Sequence, residues 1–222
     1  MKILKLIFFI IVCFNSVSAQ ENRTGSDEGS LNSFIKSNEE YKSTKSKDRN
    51  NNVGAAENDF LFAQPTKGKL IGMNDNILED PSLLYNYDKL NKQVVVYADK
   101  KPPVKIGLSD FKTVDFITSE GDLWFEPYPA IAKGELFQAL IKCFGKYNLY
   151  KKIEDKNERD NNNQLYYIIS PDNQIHPFKL SKRAVNDILS SNQRAGYFIN
   201  SHKKDKGDET YVKDFLTYLN YF

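Results

Sequence analysis

One short segment carries the side chains most able to do chemistry. In Asp122-Leu123-Trp124-Phe125-Glu126, polar and aromatic residues alternate with apolar ones. A β-strand sets Asp122, Trp124 and Glu126 on one face and Leu123 and Phe125 on the other. Two carboxylates beside the only tryptophan of the chain suggest a sugar platform served by an acid–base pair. That is the equipment of a small carbohydrate-active or other hydrolytic domain. The same alternation also describes an ordinary strand whose apolar side faces the core and whose polar side meets water, and this plainer reading is preferred.

Other chemistry is sparse. A nucleophilic Cys143 would need a histidine in reach, and the two histidines are His176 and His202. Cys143 lies in an apolar run, where a thiol is usually inert. No Gly-x-Ser-x-Gly elbow is present, and no His-Glu-x-x-His, Cys-x-x-Cys or calcium-loop spacing occurs. Glu154, Asp155, Glu158 and Asp160 alternate with Lys152, Lys156 and Arg159 in the manner of a solvated loop that balances its own charge. No Gly-x-Gly-x-x-Gly or complete phosphate loop is found. No metal site and no cofactor are expected.

The N-terminus carries an address. Two cations in Met1–Lys5, an apolar run from Leu6 to Phe14 and small residues up to Ala19 form a secretory signal, with cleavage expected between Ala19 and Gln20. The run is too short for a permanent membrane span, so none is expected in the mature chain. Cys13 admits a lipoprotein reading, but Val12 stands where that signal wants a smaller residue. Cleavage removes Lys2 and Lys5. The 31 Lys and Arg then fall to 29, equal to the 29 Asp and Glu. A neutral chain lacks the cation surplus that phosphate contacts require, so nucleic acid is not an expected partner. Cys143 becomes the only thiol, and an intramolecular disulfide is excluded.

The elements that must position these residues follow in order. Residues 20–58 are polar and read as a disordered tail. Within it Leu31, Phe34, Ile35 and Tyr41 approximate a helical face after Ser30, either a transient helix in a tether or a peptide that docks in a partner's groove. Order begins near Asp59. Strands are expected at Gln93–Ala98, Val104–Ile106, Val114–Ile117 and Leu123–Phe125, the last two joined by a turn at Ser119–Asp122. The run Leu136–Phe144 fits a helix stripe and a strand face equally well. The Gly145-Lys146 turn that follows favours a hairpin with Tyr147–Tyr150. Leu165–Ile169 and Gln174–Lys179 form another hairpin, with Pro177 marking an edge. Helices then start after the caps Ser181 and Asp208, with a further turn at Arg194–Ser201. The fold class is α+β: an antiparallel, mostly hairpin-connected sheet over 59–179, then two or three C-terminal helices over 180–222, in one domain. A terminal Phe222 can mark an outer-membrane barrel, but the strands are too few and the chain closes in helices.

Asp59-Phe60-Leu61-Phe62, Tyr85-Asn86-Tyr87-Asp88, the Leu136–Tyr150 hairpin, Tyr166-Tyr167 and the closing Tyr218-Leu219-Asn220 resemble an uncharacterised family of exported Bacteroidetes proteins, over roughly Asp59 to Phe222. The resemblance implies a periplasmic, outer-membrane-associated or secreted location and no catalytic residue. A eukaryotic secreted protein stays open, with Asn22-Arg23-Thr24 as a glycosylation acceptor. The function expected is non-enzymatic: an exported domain, rich in Tyr (13) and Phe (15), that binds an envelope protein or associates with itself, with Trp124 as its binding residue. The alternatives are the hydrolytic domain using Asp122 and Glu126, and a lipid or small-ligand carrier.

Overall fold

The computed structural model describes residues 31–36, 59–153 and 164–221. Cys13, the Ala19–Gln20 junction, Asn22, Tyr41 and most of the loop expected at 155–164 lie outside the described residues. The architecture is α+β: antiparallel sheets of eight and three strands, then helices. The long sheet has the order β11-β10-β9-β8-β7-β6-β1-β2. Its members are β1 (Lys67–Gly72), β2 (Ile77–Leu78), β6 (Phe111–Thr118), β7 (Gly121–Pro127), β8 (Leu136–Ile141), β9 (Asn148–Lys152), β10 (Leu165–Ile169) and β11 (Ile175–Lys179). The short sheet is β3 (Leu84–Asp88), β4 (Gln93–Tyr97) and β5 (Val104–Gly107). The expected hairpins β6–β7, β8–β9 and β10–β11 all form, and β11 with Pro177 is an edge strand.

Register identifies the faces of the long sheet. Leu70 lies opposite Val114 and Leu78, Val114 opposite Phe125, Leu149 opposite Ile168, and Tyr166 opposite Phe178. All of these are buried on one side. That side has two covers. Over β2, β1, β6 and β7 lies the short sheet, whose Tyr85, Tyr87, Val94, Val96 and Ile106 complete the first core. Over β9, β10 and β11 lie α2 (Lys182–Leu189), α3 (Ala195–Ser201) and α4 (Glu209–Tyr221), whose Val185, Leu189, Phe198, Val212, Phe215 and Leu216 complete the second. Each core has its own aromatic chain. Phe62, Phe116 and Phe125 meet edge to face at 5.1 and 5.5 Å, and Phe198 stacks on Phe215 at 4.4 Å.

The two sheets are joined by one strand that changes sheets. Leu61 N–H donates to the Tyr87 carbonyl at 2.8 Å, and Thr66 exchanges backbone hydrogen bonds with Tyr85 at 2.9 and 2.7 Å. The chain then enters β1, and the Thr66 hydroxyl donates to the Ile117 carbonyl in the long sheet. Tyr85 closes this corner. Its ring lies over Gly68, where a Cβ would sit 3.2 Å from the ring and 2.5 Å from the Asp115 carbonyl oxygen. Its hydroxyl donates to the Leu78 carbonyl at 3.1 Å.

Leu136–Ile141 settles as a strand because both of its faces are covered. Leu136 joins the first core, while Phe137 packs on the other side with Tyr150, Ile169, Tyr128 and Ile131. A run buried on two sides is apolar throughout, which is why periodicity did not distinguish strand from helix. The helix caps form as expected: Ser181 Oγ accepts from Ala184 N–H at 3.2 Å, and Asp208 Oδ1 accepts from Tyr211 N–H at 3.1 Å.

One expectation needs correction. Residues 31–36, assigned to the disordered tail, form a helical stretch, α1. Leu31 and Phe34 are buried in the first core, with Ile35 packed beside them. The i, i+3, i+4 spacing makes the face, and Gly72 makes the room: a Cβ there would lie 2.9 Å from the Phe34 ring. The segment therefore docks within its own chain. Among the described residues no helix is long and apolar enough to cross a membrane.

Candidate binding face

Among the described residues, the opposite side of the long sheet is covered only in its middle. There Tyr128, Ile131 and Ala132 from the β7–β8 loop lie over Phe137 and Tyr150. The part formed by β2, β1, β6 and β7 carries a grid of side chains that register defines. Lys69 lies opposite Asp115, and Asp115 opposite Trp124. Lys67 lies opposite Ile117, and Ile117 opposite Asp122. Ile71 lies opposite Ile77. Trp124 is 45% exposed, Ile117 42% and Ile77 48%. Three large apolar side chains are thus exposed on one sheet face, rimmed by charge.

The strand alternation predicted for Asp122, Trp124 and Glu126 is present, but the three do not form one site. Four residues of strand separate the two carboxylates by about 13 Å, whereas glycosidase pairs lie about 5 to 9.5 Å apart. Glu126 is also engaged elsewhere. It is buried, accepts from the Tyr150 hydroxyl and is ion-paired with Lys142. Desolvation and the neighbouring Glu126 carboxylate drive the Tyr150 hydroxyl far above its usual range. Glu126 thus anchors the β7–β9 part of the sheet.

The carboxylate that does adjoin Trp124 is Asp115, which sequence reasoning missed because it lies on the neighbouring strand. Only the β6–β7 register brings them together. The Trp124 side chain lies beside the Asp115 carboxyl across the β6–β7 pair and favours its ionised form. Asp115 Oδ1 is buried and has no hydrogen-bond partner among the described residues. Burial raises the Asp115 pKa above its ordinary value, and Asp122, diagonal to it on β7, adds to the rise. Trp124 and Lys69 pull against it, while Glu79 pushes it up further. The face thus presents Asp115, Asp122 and Glu79 together with Lys67 and Lys69.

The remaining candidates stay apart. Cys143 follows β8 and His176 lies on β11, three strands away or about 14 Å. His202 stacks on Phe198 at 3.9 Å and its Nδ1 lies 2.9 Å from the Phe198 carbonyl, a structural role at the end of α3. Among the described residues no group of three or more His, Cys, Asp or Glu is placed to hold a metal ion. No protein-family model, curated protein or solved structure matches the chain.

Proposed function

We propose that this protein is an exported, non-catalytic assembly domain that associates with a second copy of itself through the open β2–β1–β6–β7 face. The observation that carries this reading is Trp124: a half-exposed indole, opposite Asp115 in register and near exposed Ile117, on a sheet face that no described residue covers. Aromatic anchors with a charged rim are the usual anatomy of a protein interface. Both charge signs occur on the same patch, so a two-fold related copy sets the Lys67 and Lys69 ammonium groups against the Asp115, Asp122 and Glu79 carboxylates. The expected mature chain has no net side-chain charge to oppose the approach.

Trp124 is the only tryptophan, so its emission reports this face alone. With the chain beginning at Gln20, raising the concentration should shift the emission to the blue in parallel with an increase in mass measured by sedimentation velocity. Trp124→Ala and Ile117→Ser should hold the protein monomeric. A monomer at every concentration, with emission that never changes, would sink the proposal. Export is tested separately, by mass-spectrometric identification of the mature N-terminus at Gln20 or at a lipid-modified Cys13.

A second reading is favoured by the Asp115–Asp122 diagonal. A carboxyl whose pKa is raised by burial, set diagonally to a second carboxyl and next to an aromatic platform, resembles the paired acids of a glycoside hydrolase. Quenching of Trp124 by oligosaccharides, with hydrolysis abolished in Asp115→Asn, would replace the assembly reading with this one.

A further inference from the structure

A cleft of about 730 Å³ opens at the helical end of the molecule, away from the Trp124 face. The β8–β9 turn supplies Lys146 and Tyr147, the α2–α3 loop supplies Asn192, Gln193 and Arg194, and the C-terminal end of α4 supplies Asn220. Among the described residues, its lining contains two cations and no carboxylate side chain. Lys146 Nζ donates to the Asn220 main-chain carbonyl in the last turn of α4, where the helix dipole offsets part of the ammonium charge and no carboxylate is its acceptor. The Arg194 backbone N–H donates to Asn192 Oδ1 at 3.0 Å, which folds the loop, while the guanidinium has no acceptor among the described residues. The nearest acid in the adjoining turn, Asp172, accepts from the Ser170 hydroxyl.

The frame of this cleft is fixed. The Asn220 side chain is buried and pairs with both backbone groups of Tyr147: its Oδ1 accepts from Tyr147 N–H and its Nδ2 donates to the Tyr147 carbonyl, each at 2.9 Å. Asn192 Nδ2 lies 3.4 Å from the Tyr147 hydroxyl. Turn, loop and helix end are therefore locked together before any ligand arrives, which lowers the ordering cost of binding.

We infer that this cleft binds a phosphate group. A guanidinium fork matches two phosphate oxygens at once, and a second, point-like cation suits the remaining charge of a dianion. Amide and hydroxyl groups around the rim suit the polar remainder of such a ligand. Two carriers share this chemistry, a soluble phosphomonoester and a lipid headgroup. Phe144, fully exposed on the same turn as Lys146, is placed to accompany a headgroup into a bilayer surface.

The test uses the full mature chain. Inorganic phosphate should shift the backbone amide resonances of Tyr147 and Asn192 to Ala195 saturably, and Arg194→Gln should weaken that binding about tenfold or more. Arg194 makes no side-chain contact that the fold needs, so the variant should keep the wild-type circular dichroism spectrum. Co-sedimentation with phosphatidylcholine vesicles containing phosphatidylglycerol, but not with phosphatidylcholine alone, and its loss in Phe144→Ser, would identify the lipid as the carrier. Phosphate binding without co-sedimentation would identify a soluble phosphomonoester. The inference fails if phosphate shifts nothing in the cleft, or if Arg194→Gln binds it as well as the wild type. Trp124→Ala leaves every one of these readouts unchanged, so this result is independent of the assembly proposal.

Discussion

One face of one sheet is closed in two different ways. Over β1, β2, β6 and β7 the cover is a second sheet, joined to the first by a strand that turns the corner at Thr66. Over β9, β10 and β11 the cover is three helices with Phe198 and Phe215 stacked at their centre. The two halves share a device, however. In each, a buried asparagine acts as a one-residue strand. Asn86 accepts from Phe62 N–H at 3.1 Å and donates to the Phe62 carbonyl at 2.8 Å, as Asn220 does with Tyr147. Packing partners differ, but irregular backbone brought against a core must still find its hydrogen bonds, and side-chain amides supply them in both places.

The largest effects should come from emptying each core in turn. Phe116→Ala and Phe215→Ala should each cost about 3–5 kcal/mol in urea unfolding. Native-state hydrogen exchange should then separate the halves, with β3–β5 amides losing protection in the first variant and α2–α4 amides in the second. Loss of protection spread evenly over both covers would mean that they form one cooperative unit. Next come the asparagines. Asn86→Leu and Asn220→Leu each leave a backbone N–H and a carbonyl without their partner, at about 1–3 kcal/mol per group. Equal losses would confirm the shared device, and a near-neutral Asn220→Leu would break it. Tyr85→Phe is smaller, about 1 kcal/mol, because it removes one hydrogen bond and leaves the ring over Gly68.

The smallest effects are also the most discriminating, because their signs oppose. Burial pushes the Glu209 carboxyl upward, but Lys213, Lys151 and the Tyr166 hydroxyl outweigh it and hold the pKa below its ordinary 4.5. Its contribution is present above that value and is lost as pH falls through the lowered one. Asp115 behaves the other way. Its pKa is raised above 3.8, so stability falls as pH climbs from there through the raised value. Glu209→Gln should therefore be destabilised near neutrality and match the wild type in acid. Asp115→Asn should be stabilised near neutrality and converge on the wild type in acid. Thermal melts at stepped pH decide both.

Much of this was legible in the sequence wherever a local rule sufficed. The hairpins at Val114–Phe125 and Leu165–Lys179 have alternating or β-branched strands and punctuated turns, and Ser181 and Asp208 announce their helices. The division into two sheets was not legible, because it depends on Tyr85 reaching Leu78 and on Thr66 bonding in both directions. Asp115 was missed for the same reason: its relation to Trp124 exists only across strands. Glu126 was nominated by its face, and its engagement with Lys142 and Tyr150 comes from residues far along the chain. The helical turn at 31–36 was visible as a pattern, but its acceptor groove at Gly72 was not.

The placement of β1 has a consequence for synthesis. From β6 to β11 each strand pairs with its neighbour in sequence, so that meander can zip as it emerges. β1 is made earlier yet pairs with β6, across a loop that contains all of β2 to β5. On one side it pairs at once with the two residues of β2, but the edge it gives to β6 keeps its backbone groups open until β6 has been translated. That open edge is the segment of the nascent chain most exposed to wrong strand pairing.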